Sequence, residues 1–157
     1  TGPGRTKGKL DLEKVTTIES AARGGTGETI AGCEVSFVVH VTLGDQAEFL
    51  AGDHTVLREL LHPSKQPLEL GYSVAHGTVA PGARSKWHRL TSSEVYYIIA
   101  GQGRLTVDDS VVPVEPGSVV YVQPGGKQSL ENTGPTPIEF LCLVDPAWRA
   151  EDEEVLE

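Results

Sequence analysis

Between residues 71 and 145 the chain has no uninterrupted segment long enough for an ordinary helix. Short β-branched and aromatic runs follow one another instead: GYSVAHGTVA, EVYYIIA, GRLTV, SVVYV, SLEN and PIEFLCLV. Between them lie PGARS, GQG, VDDS, VEPGS, QPGGK and NTGPTP, which carry the Gly, Pro, Asp and Asn that turns require. Many short strands at regular turn spacing define an all-β sandwich or barrel, because a βαβ fold needs helices between its strands. Upstream, CEVSFVVHVTL alternates and reads as a further strand. In HTVLRELLHP, Val56, Leu57, Leu60 and Leu61 fall at helical spacing before Pro63, so this segment is expected to form a short helix.

Two spaced motifs lie on this strand pattern. In the first, Gly82 is followed after five residues by His88, then Leu90, then Glu94, and after six more by Gly101. In the second, Gly117 precedes Gln123, Pro124 and Gly125, then Gln128 and, after three residues, Asn132. Residues two apart on a strand share a face. If His88 points inward, Lys86 and Leu90 do too. Tyr96 and Ile98 share the face of Glu94, and Leu130 and Asn132 share that of Gln128. A closed barrel brings these inward side chains together. Gly82 and Gly101 sit where tight turns would strain a bulkier residue.

The paired motifs resemble those of the cupin superfamily, G-x5-H-x-H-x3,4-E-x6-G and G-x5-P-x-G-x2-H-x3-N, over residues 70–145. The resemblance implies a single double-stranded β-helix barrel of the jelly-roll type. It also implies a divalent transition metal (Fe, Mn, Ni, Co or Zn) held by His88, Glu94 and Gln128. The sequence departs from the family pattern where Leu90 and Gln128 replace two histidines. Leu cannot ligate, and Gln offers only a neutral carbonyl oxygen. His76, on the preceding strand, is a candidate for the missing imidazole, or else a hydrogen-bonded core or surface histidine. A metal-free polar pocket is the alternative. There Glu94 and Gln128 would bond a ligand or each other, and an inward Glu94 would have to be paired or protonated. Lys86 is a candidate partner for it.

The functional expectation is isomerase-, cyclase- or lyase-type chemistry on a small anionic or carbonyl-containing metabolite. Glu94 and Tyr96 are the candidate catalytic residues; His76, Lys86, Leu90 and Leu130 are candidate pocket residues. The chain is similar to stand-alone cupins assigned as sugar-phosphate isomerases and to small polyketide-cyclase cupins. Non-catalytic ligand binding and metal-dependent dioxygenation are the alternatives. Arg84, Lys86 and Lys127 flank the motifs and would form a basic rim attracting an anionic group, unless they are ordinary loop charges. Trp87 is expected outside the barrel. Trp148 is expected to clamp one end of it or to lie at an interface.

A net charge of −9 disfavours nucleic acid, whose phosphates need clustered Lys and Arg. No apolar run approaches the roughly 20 residues of a membrane helix. Cys33 and Cys142 form no CxxC pair; Cys142 reads as a small buried thiol, and nothing asks for an oxidising compartment, so the cytoplasm is the expected location. The expected organisation is a flexible extension at 1–30, a barrel at 31–147 and an acidic tail at 148–157. The partners expected are a small molecule and a second copy in a homodimer.

Overall fold

The computed structural model describes residues 15–17 and 37–157. The remainder of the expected N-terminal extension, with Arg5, Lys7, Lys9 and Cys33, lies outside the described residues. Two units are distinguished, dividing between Val41 and Thr42. In the first, β1 (Val15–Thr17) pairs antiparallel with β2 (Phe37–Val39), which falls within the expected CEVSFVVHVTL strand.

The second unit is all-β, as the turn spacing requires. Its strands are β3 (Glu48–Leu50), β4 (Val56–Leu61), β5 (Ser73–Val79), β6 (His88–Leu90), β7 (Ser93–Ala100), β8 (Gly103–Val107), β9 (Ser110–Val114), β10 (Val119–Val122), β11 (Gln128–Asn132), β12 (Ile138–Asp145) and β13 (Glu153–Val155). They form a six-stranded sheet, β10-β7-β12-β5-β4-β3, and a five-stranded sheet, β13-β6-β11-β8-β9. The only helical turns among the described residues are 3-10 turns at Leu43–Asp45 and Ala150–Asp152. No described helix is long and apolar enough to cross a membrane.

The inner faces follow the period of two. On β12, Ile138, Phe140, Cys142 and Val144 are buried while the residues between them are not. Ile138, Phe140 and Cys142 pack with Ile98, Leu105, Val122 and Leu130 into one core. Leu130, a candidate pocket residue, is 1% exposed and belongs to this core. Gly77 is required on β5 because the Phe140 ring lies over it, where any Cβ would overlap the ring.

The motif glycines do what the spacing implied. Gly82 has φ 71° and Gly101 has φ 78°, and a Cβ on Gly101 would run into the Pro137 carbonyl. Asn132 ties the loops of the barrel end together. Its Nδ2 donates to the Val79 and Thr136 carbonyls at 2.9 and 2.8 Å, and its Oδ1 accepts from Gly134 N–H at 2.9 Å.

Two expectations are corrected. The segment expected as a helix is strand β4, paired with β3 on one side and β5 on the other. A short apolar run does not separate the two periods, and the open edge of β5 decides the matter by supplying a ladder of backbone partners. The acidic C-terminal segment is not a free tail either: β13 pairs with β6, setting Glu153 opposite Leu90 and Val155 opposite His88.

Candidate functional site

The inward faces of β4, β5, β6, β7 and β12 enclose a cavity of about 260 Å³, reached past the exposed Phe49 and Leu50. His88, Leu90, Glu94 and Tyr96 line it, as the alternation predicts. His88 and Leu90 come from the five-stranded sheet and Glu94 and Tyr96 from the facing one. Register explains the placement of Gln128, which sits on β11 directly opposite His88 on β6.

His88 is almost wholly buried. Its Nδ1 lies 2.9 Å from the Lys86 carbonyl and 3.6 Å from Asp53 Oδ2. A carbonyl can only accept, so Nδ1 carries the proton in the neutral ring, and Nε2 keeps its lone pair. No described residue partners that Nε2. Glu94 is also buried. Gln128 Nε2 donates to its Oε2 at 2.6 Å, and the Tyr96 hydroxyl donates to the same carboxyl group. Burial pushes the Glu94 carboxyl from the ordinary 4.5 up to about 7. His88 and the hydrogen bond from Gln128 oppose that rise, and the Asp53 charge adds to it. Burial, with the Glu94 charge second, also raises the Tyr96 hydroxyl and the Cys142 thiol, so both stay neutral.

Further polar groups, Asp53, Glu153 and Trp148 among them, reach the cavity without a motif to announce them. Asp53 lies between β3 and β4, where Thr55 N–H and Thr55 Oγ1–H donate to its two oxygens at 3.0 and 2.6 Å. Glu153 arrives on β13, and its Oε2 accepts from Trp148 Nε1 at 3.2 Å. Trp148 walls one end of the cavity, as its expected clamping role implies. Its N–H donates to Ser73 Oγ at 3.0 Å, and its carbonyl accepts from His62 Nε2 at 2.8 Å. Turn chemistry in AGDHT marks Asp53 as structured, but nothing local marks either acid as facing a cavity.

Other candidates fall elsewhere. His76 is on the outer face of β5, 3.3 Å from Glu139, because β5 turns Ser73 and Ala75 toward the cavity and the alternate residues, His76 and Thr78, to the other side. It supplies no ligand to the cavity. Lys86 meets the site only through its backbone: its carbonyl holds His88, and its N–H donates to the Asp53 carbonyl at 2.7 Å. It is no partner for Glu94. Among the described residues no Lys or Arg lines the cavity, so Arg84, Lys86 and Lys127 do not form the expected basic rim. Arg84 and Lys127 lie over the Trp87 ring at 5.8 and 4.7 Å, which leaves Trp87 outside the barrel.

The donor set does not fit the metal centre that the motif resemblance implies. Leu90 fills one ligand position with an apolar side chain. Gln128 directs its N–H, not its carbonyl, at Glu94, and its buried Oε1 has no partner among the described residues. Among the described residues, no three His, Cys, Asp or Glu side chains converge in a way that could hold a cation.

Comparison with known proteins agrees with the fold. Residues 75–144 match the cupin domain model. A Methanocaldococcus jannaschii protein, described as uncharacterized, is 34% identical over 110 residues, which are 69% of this chain and 87% of that protein. The chain belongs to the cupin family. It is also similar to an oxalate-binding protein of Thermotoga maritima (35% identity over 41% of this chain) and to glucose-6-phosphate isomerase of Thermococcus onnurineus (30% over 68%), spanning about half of each, 54%. Among solved structures it shares its fold with a Thermotoga maritima protein described as a predicted oxalate decarboxylase. The TM-score is 0.61 at 23% identity, covering 69% of this chain and 99% of that one. The nucleoside dehydratase Pac13 of Streptomyces also has a TM-score of 0.61, at 19% identity, covering 76% of this chain and 92% of that one.

Proposed function

We propose that the cavity binds a small hydroxyl- or carbonyl-bearing metabolite and that His88 and Glu94 move a proton on it, in isomerase- or lyase-type chemistry. One observation carries the reading: the Lys86 carbonyl holds the His88 Nδ1 proton, which leaves an Nε2 lone pair on a side chain that lines the same cavity as the Glu94 carboxyl. A carboxyl whose protonation midpoint is near neutral supplies both its forms at working pH, which suits general acid–base catalysis. In an elimination, His88 Nε2 takes the proton from carbon, the carbon–oxygen bond breaks, and protonated Glu94 delivers its proton to the departing hydroxyl, releasing water. In an isomerisation the same pair removes a proton from one carbon and protonates the carbonyl oxygen. Tyr96 orients Glu94 in both. No step is assigned to a metal, because the donors present do not assemble one's ligand set.

The test is solvent deuterium exchange. Hydroxy- and oxo-metabolites are incubated with chelator-treated protein in D2O and followed by proton NMR. Loss of a C–H signal from one compound is expected with the wild type and not with His88→Ala or Glu94→Gln. Exchange that proceeds equally in both variants, exchange that appears only on adding metal, or no exchange with any compound would each remove the assignment.

The outer face of the six-stranded sheet supports a homodimer as the working form. Edge strand β10 exposes Val119 and Tyr121, and β7 beside it exposes Tyr97 and Ile99. Together they form a contiguous apolar surface suited to a second copy.

A further inference from the structure

We infer that the cavity takes a cationic ligand, a small molecule bearing a protonated amine on an apolar body. The inference rests on the cavity being the functional site, as read above, and names the class of molecule it admits.

The charge-bearing lining is one-sided. Asp53, Glu94 and Glu153 face the cavity, and among the described residues no Lys or Arg does. A fourth lining acid, Glu59, is taken by Lys65 at 2.6 Å. The other basic residues near the motifs are engaged outside: Arg84 with Glu157, Arg89 with Glu154 and Arg104 with Glu131. Inside, the three acids meet neutral donors from Thr55, Gln128, Tyr96 and Trp148, and a single imidazole. Buried acids served mainly by neutral donors leave a negative potential in a low-dielectric space whenever they are ionised, and a bound cation favours that ionised form.

A second observation points to a ligand independently of the acids. His88 is 5% exposed and lines the cavity, yet its Nε2 has no partner among the described residues. With Nδ1 as donor, Nε2 is an acceptor waiting for an N–H or O–H. An alkylammonium carries three N–H donors and no acceptor, which matches a site of acceptors. Glu153 offers Oε1, since Trp148 occupies Oε2. Most of the remaining lining is apolar or aromatic. Trp148, Phe140 and Tyr96 are positioned for the body of the ligand, with the Tyr96 and Phe140 ring centroids 5.2 Å apart. Aromatic faces add attraction for a cation.

The acids that set this preference include two outside the matched domain at 75–144: Asp53 precedes it and Glu153 follows it. Two of the relatives are named for anions, oxalate and glucose 6-phosphate. A cation preference here would therefore be a property of the flanking segments and not of the shared motifs.

The probes are benzylamine, benzyl alcohol, benzoate and oxalate, titrated near neutral pH into a Trp87→Phe protein. That background leaves Trp148, which touches Glu153, as the sole tryptophan reporter. Benzylamine is expected to bind about tenfold or more tightly than benzyl alcohol, with no saturable response to benzoate or oxalate. Glu153→Gln keeps an acceptor for Trp148 Nε1 and should cut the amine-over-alcohol ratio about tenfold, to near one. Its thermal midpoint confirms that it folds. Benzoate or oxalate binding as well as benzylamine, an unchanged ratio in Glu153→Gln, or no response to benzylamine would each overturn the proposal. Deuterium exchange reads proton transfer separately. A cavity without cation preference leaves the His88/Glu94 reading standing, and cation preference without exchange removes that reading and keeps this one.

Discussion

Replacing Glu94 by glutamine should leave stability in acid close to that of the wild type and make the protein more stable in base. The Glu94 carboxyl titrates near 7 when folded and near 4.5 when exposed. Below pH 4.5 both states hold the proton. Between 4.5 and 7 the folded state keeps it while the unfolded state releases it, so stability declines as pH rises through that window and levels off above it. At about 1.4 kcal/mol per pH unit, the gap of about 2.5 units is worth about 3 kcal/mol. The amide of Glu94→Gln does not titrate, and its oxygen would still accept from Gln128 Nε2, so the variant lacks this slope and keeps the contact. Urea unfolding of both proteins at pH 4 and pH 8.5, followed by circular dichroism, measures the difference. Relative to wild type, the variant should gain about 3 kcal/mol between the two pH values. Other titrating groups, Glu153 included, are common to both proteins and cancel. Parallel pH profiles, or a variant that loses ground toward high pH, would refute the claim that burial dominates the Glu94 environment.

Wild-type protein purified without a histidine tag or chelator should contain well under one transition metal per chain by mass spectrometry. Leu90→His with Gln128→His, which completes the family's ligand set around His88 and Glu94, should bind cobalt at least about tenfold more tightly by calorimetry. A stoichiometric metal in the wild type would overturn the reading of the donor set. Gly77→Ala should destabilise by about 1–3 kcal/mol in urea unfolding, because its Cβ meets the Phe140 ring, and Phe140→Leu in the same chain should recover part of the loss. An unchanged midpoint would show that the ring yields freely. Sedimentation should give twice 16.7 kDa for the wild type and a monomer for Tyr121→Asp, whereas a monomeric wild type ends the dimer proposal.

The strands after Gly71, the left-handed glycines and the convergence of His88, Glu94 and Gln128 were legible in the chain. They depend on the period of two and on spacing within short segments, both local. The mutual hydrogen bond of Glu94 and Gln128 was one of the alternatives that residue chemistry left open. Pairing was not legible. Val56–Leu61 satisfies helical spacing and becomes a strand because β5 offers it an edge. His76 faces out because the register of β5 with β12 sets its Glu139 neighbour on that side. Asp53 and Glu153 stand 100 positions apart, one in an ordinary turn and the other in an acidic run. The turn before β4 and the pairing of β13 with β6 bring them to one cavity. A linear pattern states which side chains share a face. Only the closed sheets decide which faces meet, and so only they turn an expected basic rim into an acidic, aromatic cavity.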